Sequence, residues 1–285
     1  QRRFDAGHLG HGDVHQDDVP VFIADHFHGH LAILRLADGH VGNLRAERVL
    51  GDDDVEWIVL GNQYAQRRQG RSLWVGFLLA VLLEPDVERA RVQEMLFVAM
   101  TAMADAIGAL CPPELAITWR WPHAVYANGA RLGEARMVVC DEEDAEGSPL
   151  WMAVALRLAL TPTDTNEPGR TPDRTTLWDE GAVELEALAG LESLSRHFLT
   201  WVHRWEVDGF KPVHEAWLFR CDGYREDVAV RTNDRALQGT FTGLDESGNL
   251  LLKEDGEGAP VRILNVADHL DDDRTARPLA SVTEI

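Results

Sequence analysis

Lysine is almost missing from this 285-residue chain, with Lys211 and Lys253 the only two. Chemistry that needs a lysine Schiff base, or a lysine bridging a phosphate, therefore has two candidates, because the remaining positive charge is arginine, which stays protonated. Cysteine is sparse as well. Cys111, Cys140 and Cys221 are odd in number and make no CxxC pair, so they read as small buried residues in a reducing cytoplasm. The longest apolar run, residues 73–83, falls short of the roughly 20 residues that span a bilayer and reads as a buried strand. Nothing near the N-terminus resembles a signal peptide, since charge and histidine stand where an apolar stretch would be. The chain opens on Gln1 and not on methionine, which leaves the native start open. Basic residues are outnumbered, 27 against 48 acidic, for a net charge of −21. That is the wrong sign for neutralising phosphates, so neither nucleic acid nor an anionic membrane surface is expected as a partner.

What is present is an ordinary globular balance, 45% apolar and 26% charged, in a length that suits one large domain or two smaller ones. Three textures follow one another. Residues 1–69 hold seven of the twelve histidines with little periodicity. Within them Asp25-His26-Phe27-His28-Gly29-His30 would set alternate imidazoles on one side of an extended strand, as zinc needs. The plainer reading is a His-rich surface segment, or one that did not evolve with the rest, and no metal site is assigned. The acidic runs at 52–54 and 271–273 read as solvated loops.

Residues 70–220 alternate strands and helices. The strand at 73–83 is closed by Glu84-Pro85-Asp86, with Asp86 placed to cap a helix in which Val92, Met95, Leu96, Ala99, Met103, Ala106, Ile107 and Leu110 keep helical spacing. Strands are expected at 115–121, 136–140 and 150–160, and a second helix carries Leu191, Leu194, Phe198, Trp201, Val202 and Trp205 as its apolar stripe. Residues 221–285 show short strands separated by Gly-rich turns, the pattern of a small β-barrel. The expected class is α+β: a mixed, largely antiparallel sheet with packed helices, followed by a small C-terminal β-barrel.

One constellation carries chemistry. A strand ends in Arg120-Trp121-Pro122-His123, Asn128-Gly129 gives the strongest short-range hairpin signal, and Arg131-Leu132-Gly133 returns. Two arginines near opposite ends of a tight hairpin can turn both guanidiniums toward one carboxylate or phosphate.

The stretch from Arg120 to Tyr126, with Arg131-Leu132-Gly133-Glu134, resembles the biotin/lipoate protein ligase family, in which a Lys-Trp-Pro-Asn-Asp strand leads through a hairpin to a Lys-Leu-Ala-Gly-like return. Thr171-Pro172-Asp173-Arg174-Thr175 fits the same pattern. Further along, Gly209-Phe210-Lys211-Pro212-Val213-His214-Glu215-Ala216-Trp217 resembles the family's link to its SH3-like barrel, and Gly239-Thr240-Phe241-Thr242-Gly243-Leu244-Asp245 that barrel's central hairpin. The resemblance covers about residues 73–275 and points to a divergent bacterial branch.

It implies ATP-dependent adenylation of a small carboxylic acid (biotin, lipoate or octanoate), with Mg²⁺ on the phosphates, and transfer to a lysine of a biotinyl or lipoyl carrier domain. Arg131 and Arg120, standing where the family has lysines, would be the catalytic cations, with Trp121, His123, Asn128, Gly129 and Gly133 around the substrate. His123-Ala124 replaces the family's Asn-Asp, only Gln69-Gly70-Arg71 suggests the Gly/Arg-rich loop, and Leu158-Ala159-Leu160-Thr161 stands at the Gly-x-Asn element. Two other readings stay open: a degenerate relative that binds a carboxylate or carrier without turnover, and an acidic protein-interaction module. The expected location is cytoplasmic.

Overall fold

The computed structural model describes residues 45–50, 56–68, 71–162, 173–232, 235–256, 258–270 and 275–279. The histidine triplet at 26–30, both acidic runs, Gln69-Gly70 and residues 163–172 lie outside them. The larger sheet is built from β1 (Arg45–Leu50), β2 (Glu56–Arg68), β3 (Arg71–Leu83), β4 (Ile117–Arg120), β5 (Ala124–Ala127), β6 (Ala130–Val139) and β7 (Met152–Pro162). Its order is β1-β2-β3-β7-β6-β5-β4, and each neighbouring pair is antiparallel. β1 and β2 fall within the stretch that composition sets apart, and they continue the sheet beyond β3.

One face of this sheet is closed by helices. α1 (Glu94–Leu110) packs on β6 and β7, while α2 (Ala187–Asp208) and α3 (Lys211–Phe219) pack on α1. Residues 94–104, Ala106 and Ile107 of α1 are all buried, which explains a helix apolar on nearly every side. Asp86 does not cap it. A 3₁₀ turn at Arg89–Arg91 intervenes, Gln93 occupies the N-cap without a side-chain cap bond, and its amide instead donates to the Ser247 carbonyl at 2.6 Å. Residues 209–217, read as a link, contribute α3, which starts after Gly209 (φ 74°) ends α2. Val213 and Trp217, one helical turn apart, bury its inner side.

The C-terminal unit is a five-stranded antiparallel sheet in the order β11-β10-β9-β8-β12, formed by β8 (Asp227–Arg231), β9 (Ala236–Leu244), β10 (Leu250–Glu254), β11 (Val261–Leu264) and β12 (Arg277–Pro278). This is the small SH3-like β domain expected from the Gly-rich turns. It docks by its β9–β10 turn. The Trp121 indole N–H donates to the Gly248 carbonyl at 2.9 Å, and a Cβ on Gly248 (φ 83°) would stand 2.4 Å from the Phe97 ring. Phe97 also meets Phe210 and Trp217 edge-on at 5.6 and 5.1 Å, so it has no room to retreat. Gly248→Ala is expected to lower stability by about 1–3 kcal/mol in denaturant unfolding, the scale of overpacking.

Candidate functional site

The other face of the larger sheet carries the candidate site, and the strand register builds it. Arg120 on β4 pairs with Ala124 on β5, Ala124 with Glu134 on β6, and Glu134 with Arg157 on β7. Residues paired across antiparallel strands project to the same side, so these four form one row across four strands. Tyr126 with Arg131 makes the row on one side, and Arg136 with Ala155 the row on the other. A chain with nearly twice as many acids as bases thus gathers four arginines on one sheet face.

Arg131 reaches this face because β6 is irregular. In an even strand, residues three apart point to opposite sides. The β5–β6 register shifts between Val125 and Tyr126, and the extra residue, Leu132, turns into the core at 2% exposure, which leaves Arg131 and Glu134 on the same side. Gly133 is required beside it, since a Cβ there would lie 2.0 Å from the Arg157 carbonyl oxygen.

The guanidiniums converge. Arg131 Nη2 donates to Glu134 Oε2 at 2.9 Å, Arg136 Nη2 to the same oxygen at 3.3 Å, and Arg157 Nη1 to Oε1 at 3.4 Å. Glu134 is 6% exposed. Arg136 also donates to the Leu270 carbonyl, so the C-terminal unit touches the site. Arg120 lies 4.3 Å over the Tyr126 ring and pairs with Asp222 at 2.7 Å. Arg120 and Arg131 therefore sit to either side of Tyr126 rather than closing on one anion as a two-strand hairpin would allow. The reason is β5, which inserts between β4 and β6.

The hairpin itself is as the Asn-Gly pair predicts, with Asn128 at φ 47° and Gly129 at φ 87°. Asn128 is a structural corner. Its Oδ1 accepts from the Ala116 N–H at 3.1 Å, and its Nδ2 donates to Glu180 at 2.6 Å. Residues 173–175 run beside β6, where Arg131 N–H donates to the Asp173 carbonyl at 2.9 Å and Thr175 N–H to the Arg131 carbonyl at 3.0 Å. With β5 paired along the opposite side, the strand at Arg131 is held on both edges.

Trp121 and His123 are fully buried, and the Trp121–Pro122 peptide between them is cis. Trp121 joins the core and the contact with the C-terminal unit; its ring centroid is 5.0 Å from that of His269. The cysteines are half-buried rather than buried. Desolvation, with the Asp222 charge adding to it, pushes the Cys221 thiol well above its ordinary pKa.

Glu134, Arg136, Arg157, Tyr126 and Asp222 complete the face, and the sequence reading did not assign them. Arg157 had a signal: it is the one charged residue in β7. Among the described residues no group of three or more His, Cys, Asp or Glu side chains could hold a metal. Among those residues there is thus no all-protein cage for a divalent cation.

Comparison with known proteins agrees with this architecture. A model of the biotin/lipoate A/B protein ligase family matches residues 76–219, and one of the biotin protein ligase C terminal domain matches residues 226–268. The biotin--[acetyl-CoA-carboxylase] ligase of Paracoccus denitrificans is 31% identical over 208 residues, 69% of this chain and 83% of that protein. A biotin protein ligase-like protein of unknown function from Silicibacter superposes with a TM-score of 0.56 at 33% identity, covering 67% of this chain and 79% of its own. The biotin protein ligase of Aquifex aeolicus, in complex with biotin and ATP, shares the fold at a TM-score of 0.56 and 17% identity, over 75% and 86% of the two chains. The chain belongs to the biotin/lipoate protein ligase family.

Proposed function

We propose that this protein is a biotin protein ligase, activating biotin with ATP and passing it to a lysine on a separate carrier domain. The observation that carries this is the gathering of Arg120, Arg131, Arg136 and Arg157 on one sheet face, at the return strand that bears the family motif. The name of the Paracoccus relative supports biotin as the acid rather than lipoate or octanoate.

The reaction asks little covalent chemistry of the protein. A carboxylate oxygen of biotin attacks the α-phosphorus of ATP, the bond to pyrophosphate breaks, and biotinyl-adenylate forms. The neutral amine of the carrier lysine then attacks the acyl carbon, AMP leaves, and an amide remains. Two anions must be brought together and the charge growing on the α-phosphate stabilised, which is work for fixed cations. Arg131 is the residue for the junction of carboxylate and α-phosphate: its strand is pinned on both edges, so little ordering is needed on binding. Arg120, seated on Tyr126, is a second fixed charge at the end of the row.

The test is ATP–pyrophosphate exchange with biotin, lipoate and octanoate compared at equal concentration. Exchange stimulated by biotin above the other two is the expected result. Calorimetric binding of biotin without exchange would identify a relative that binds but does not turn over. No binding and no exchange would leave an interaction role.

A further inference from the structure

Glu134 has no task in the scheme above, yet it lies at the centre of the site. Its carboxylate, nearly inaccessible, accepts from three arginines that arrive from different places: Arg131 near the start of β6, Arg136 two residues beyond Glu134 on the same strand, and Arg157 across on β7. Side-chain exposures of 18%, 26% and 17% leave the arginines partly open to solvent while the acid is 8% exposed. A buried carboxylate that accepts from several guanidiniums is a fixed point on the sheet face, and it limits how far each of them can swing away.

The bulge at Leu132 makes sense in the same terms. It brings Arg131 round to the anchor, which an even strand would have denied. Three guanidiniums crowded on neighbouring rows repel one another, and an acid between them both orients them and weakens their pull on any other anion.

We propose that Glu134 is a positioning residue with two linked effects. It holds Arg131, Arg136 and Arg157 in fixed orientations, and it restrains their grip on a resting polyphosphate so that their charge acts chiefly when charge grows on the α-phosphate. The second effect rests on the ligase reading, and its logic is differential binding: cations that already hold the ground state tightly gain little at the transition state. Glu134→Gln keeps the shape and removes the charge. Glu134→Asp keeps the charge and shortens the reach by one methylene.

The experiment titrates inorganic pyrophosphate into the full chain by calorimetry and measures biotin-stimulated exchange on the same samples. Glu134→Gln should bind pyrophosphate about 5-fold or more tighter, because one negative charge leaves the reach of three guanidiniums, and should exchange about 10-fold or more slowly. A change that only loosened the fold would weaken both, so opposite movement is the signature. Pyrophosphate binding no tighter than wild type, or an unchanged exchange rate in an active enzyme, overturns the proposal. Should wild type show no exchange at all, the ligase reading fails, and the pyrophosphate titration alone decides for or against Glu134. Where Glu134→Gln does not fold, Glu134→Asp decides. Affinity within about 2-fold of wild type with slower exchange supports the proposal; any other pattern, or loss of fold in both variants, overturns it.

Discussion

Arg131→Ala is expected to slow biotin-stimulated ATP–pyrophosphate exchange by about 100-fold, the scale of removing one fixed donor from a developing charge. Binding of the adenylate should weaken by about 1.5–3 kcal/mol, the range for a hydrogen bond to a charged group. The fold should survive. Glu134 retains Arg136 and Arg157 at 3.3 and 3.4 Å, so the truncation leaves no buried charge stranded. The backbone bonds of Arg131 to Asp173 and Thr175 do not involve its side chain. An unchanged denaturant midpoint together with the loss of exchange is the result that assigns Arg131 to the chemistry.

Arg131→Lys separates two histories of the site. A guanidinium can give one nitrogen to Glu134 and has two others in the same plane, whereas lysine has a single nitrogen. If the site is organised around arginine, the lysine variant loses exchange despite keeping the charge. Gain of exchange instead means that the arginine marks a weakened member of the family, and this outcome can be read on the same assay.

Much of the frame was legible because local pattern decided it. The spacing of Met95, Leu96, Ala99, Met103, Ala106 and Ile107 marked α1 correctly, and the Asn128-Gly129 pair marked its turn to the residue. What escaped has a physical reason in each case. β5 is four residues long, flanked by a turn on either side, and all four residues are buried, so no alternation announces it. α3 has nine residues, too few for a stripe to repeat, and only Val213 and Trp217 reveal its inner side.

The site was legible as a motif but not as a constellation. Arg131 and Glu134 stand three apart, a spacing that an even strand sends to opposite faces, and only the bulge reverses it. Glu134 and Arg157 are joined by the β6–β7 register, which no local window contains. Trp121 and His123 lie deeper than their place in the motif announces, both fully buried. Their neighbours match a substrate-binding motif, yet the chain here turns both side chains inward, Trp121 toward the Gly248 carbonyl.

Gly133→Ala is expected to be strongly damaging, lowering stability by about 3 kcal/mol, the upper end of overpacking. The added Cβ would lie 2.0 Å from the Arg157 carbonyl oxygen and 3.0 Å from its carbonyl carbon, and backbone cannot swing aside as a side-chain tip can. Relief requires β6 and β7 to separate where Gly133 faces Leu158 and Glu134 faces Arg157. That movement pulls Glu134 from Arg157 and unseats the bulge that turns Arg131 onto the arginine face. Stability and exchange should therefore fall together, unlike Arg131→Ala, in which exchange falls alone. Gly129→Ala serves as the control: its φ of 87° makes the substitution strained, but no atom lies within 4 Å of the new Cβ. It should cost about 1 kcal/mol, well short of the loss expected for Gly133→Ala. Equal damage from the two variants would mean that backbone strain in the hairpin, and not the closeness of β6 to β7, sets the requirement for glycine.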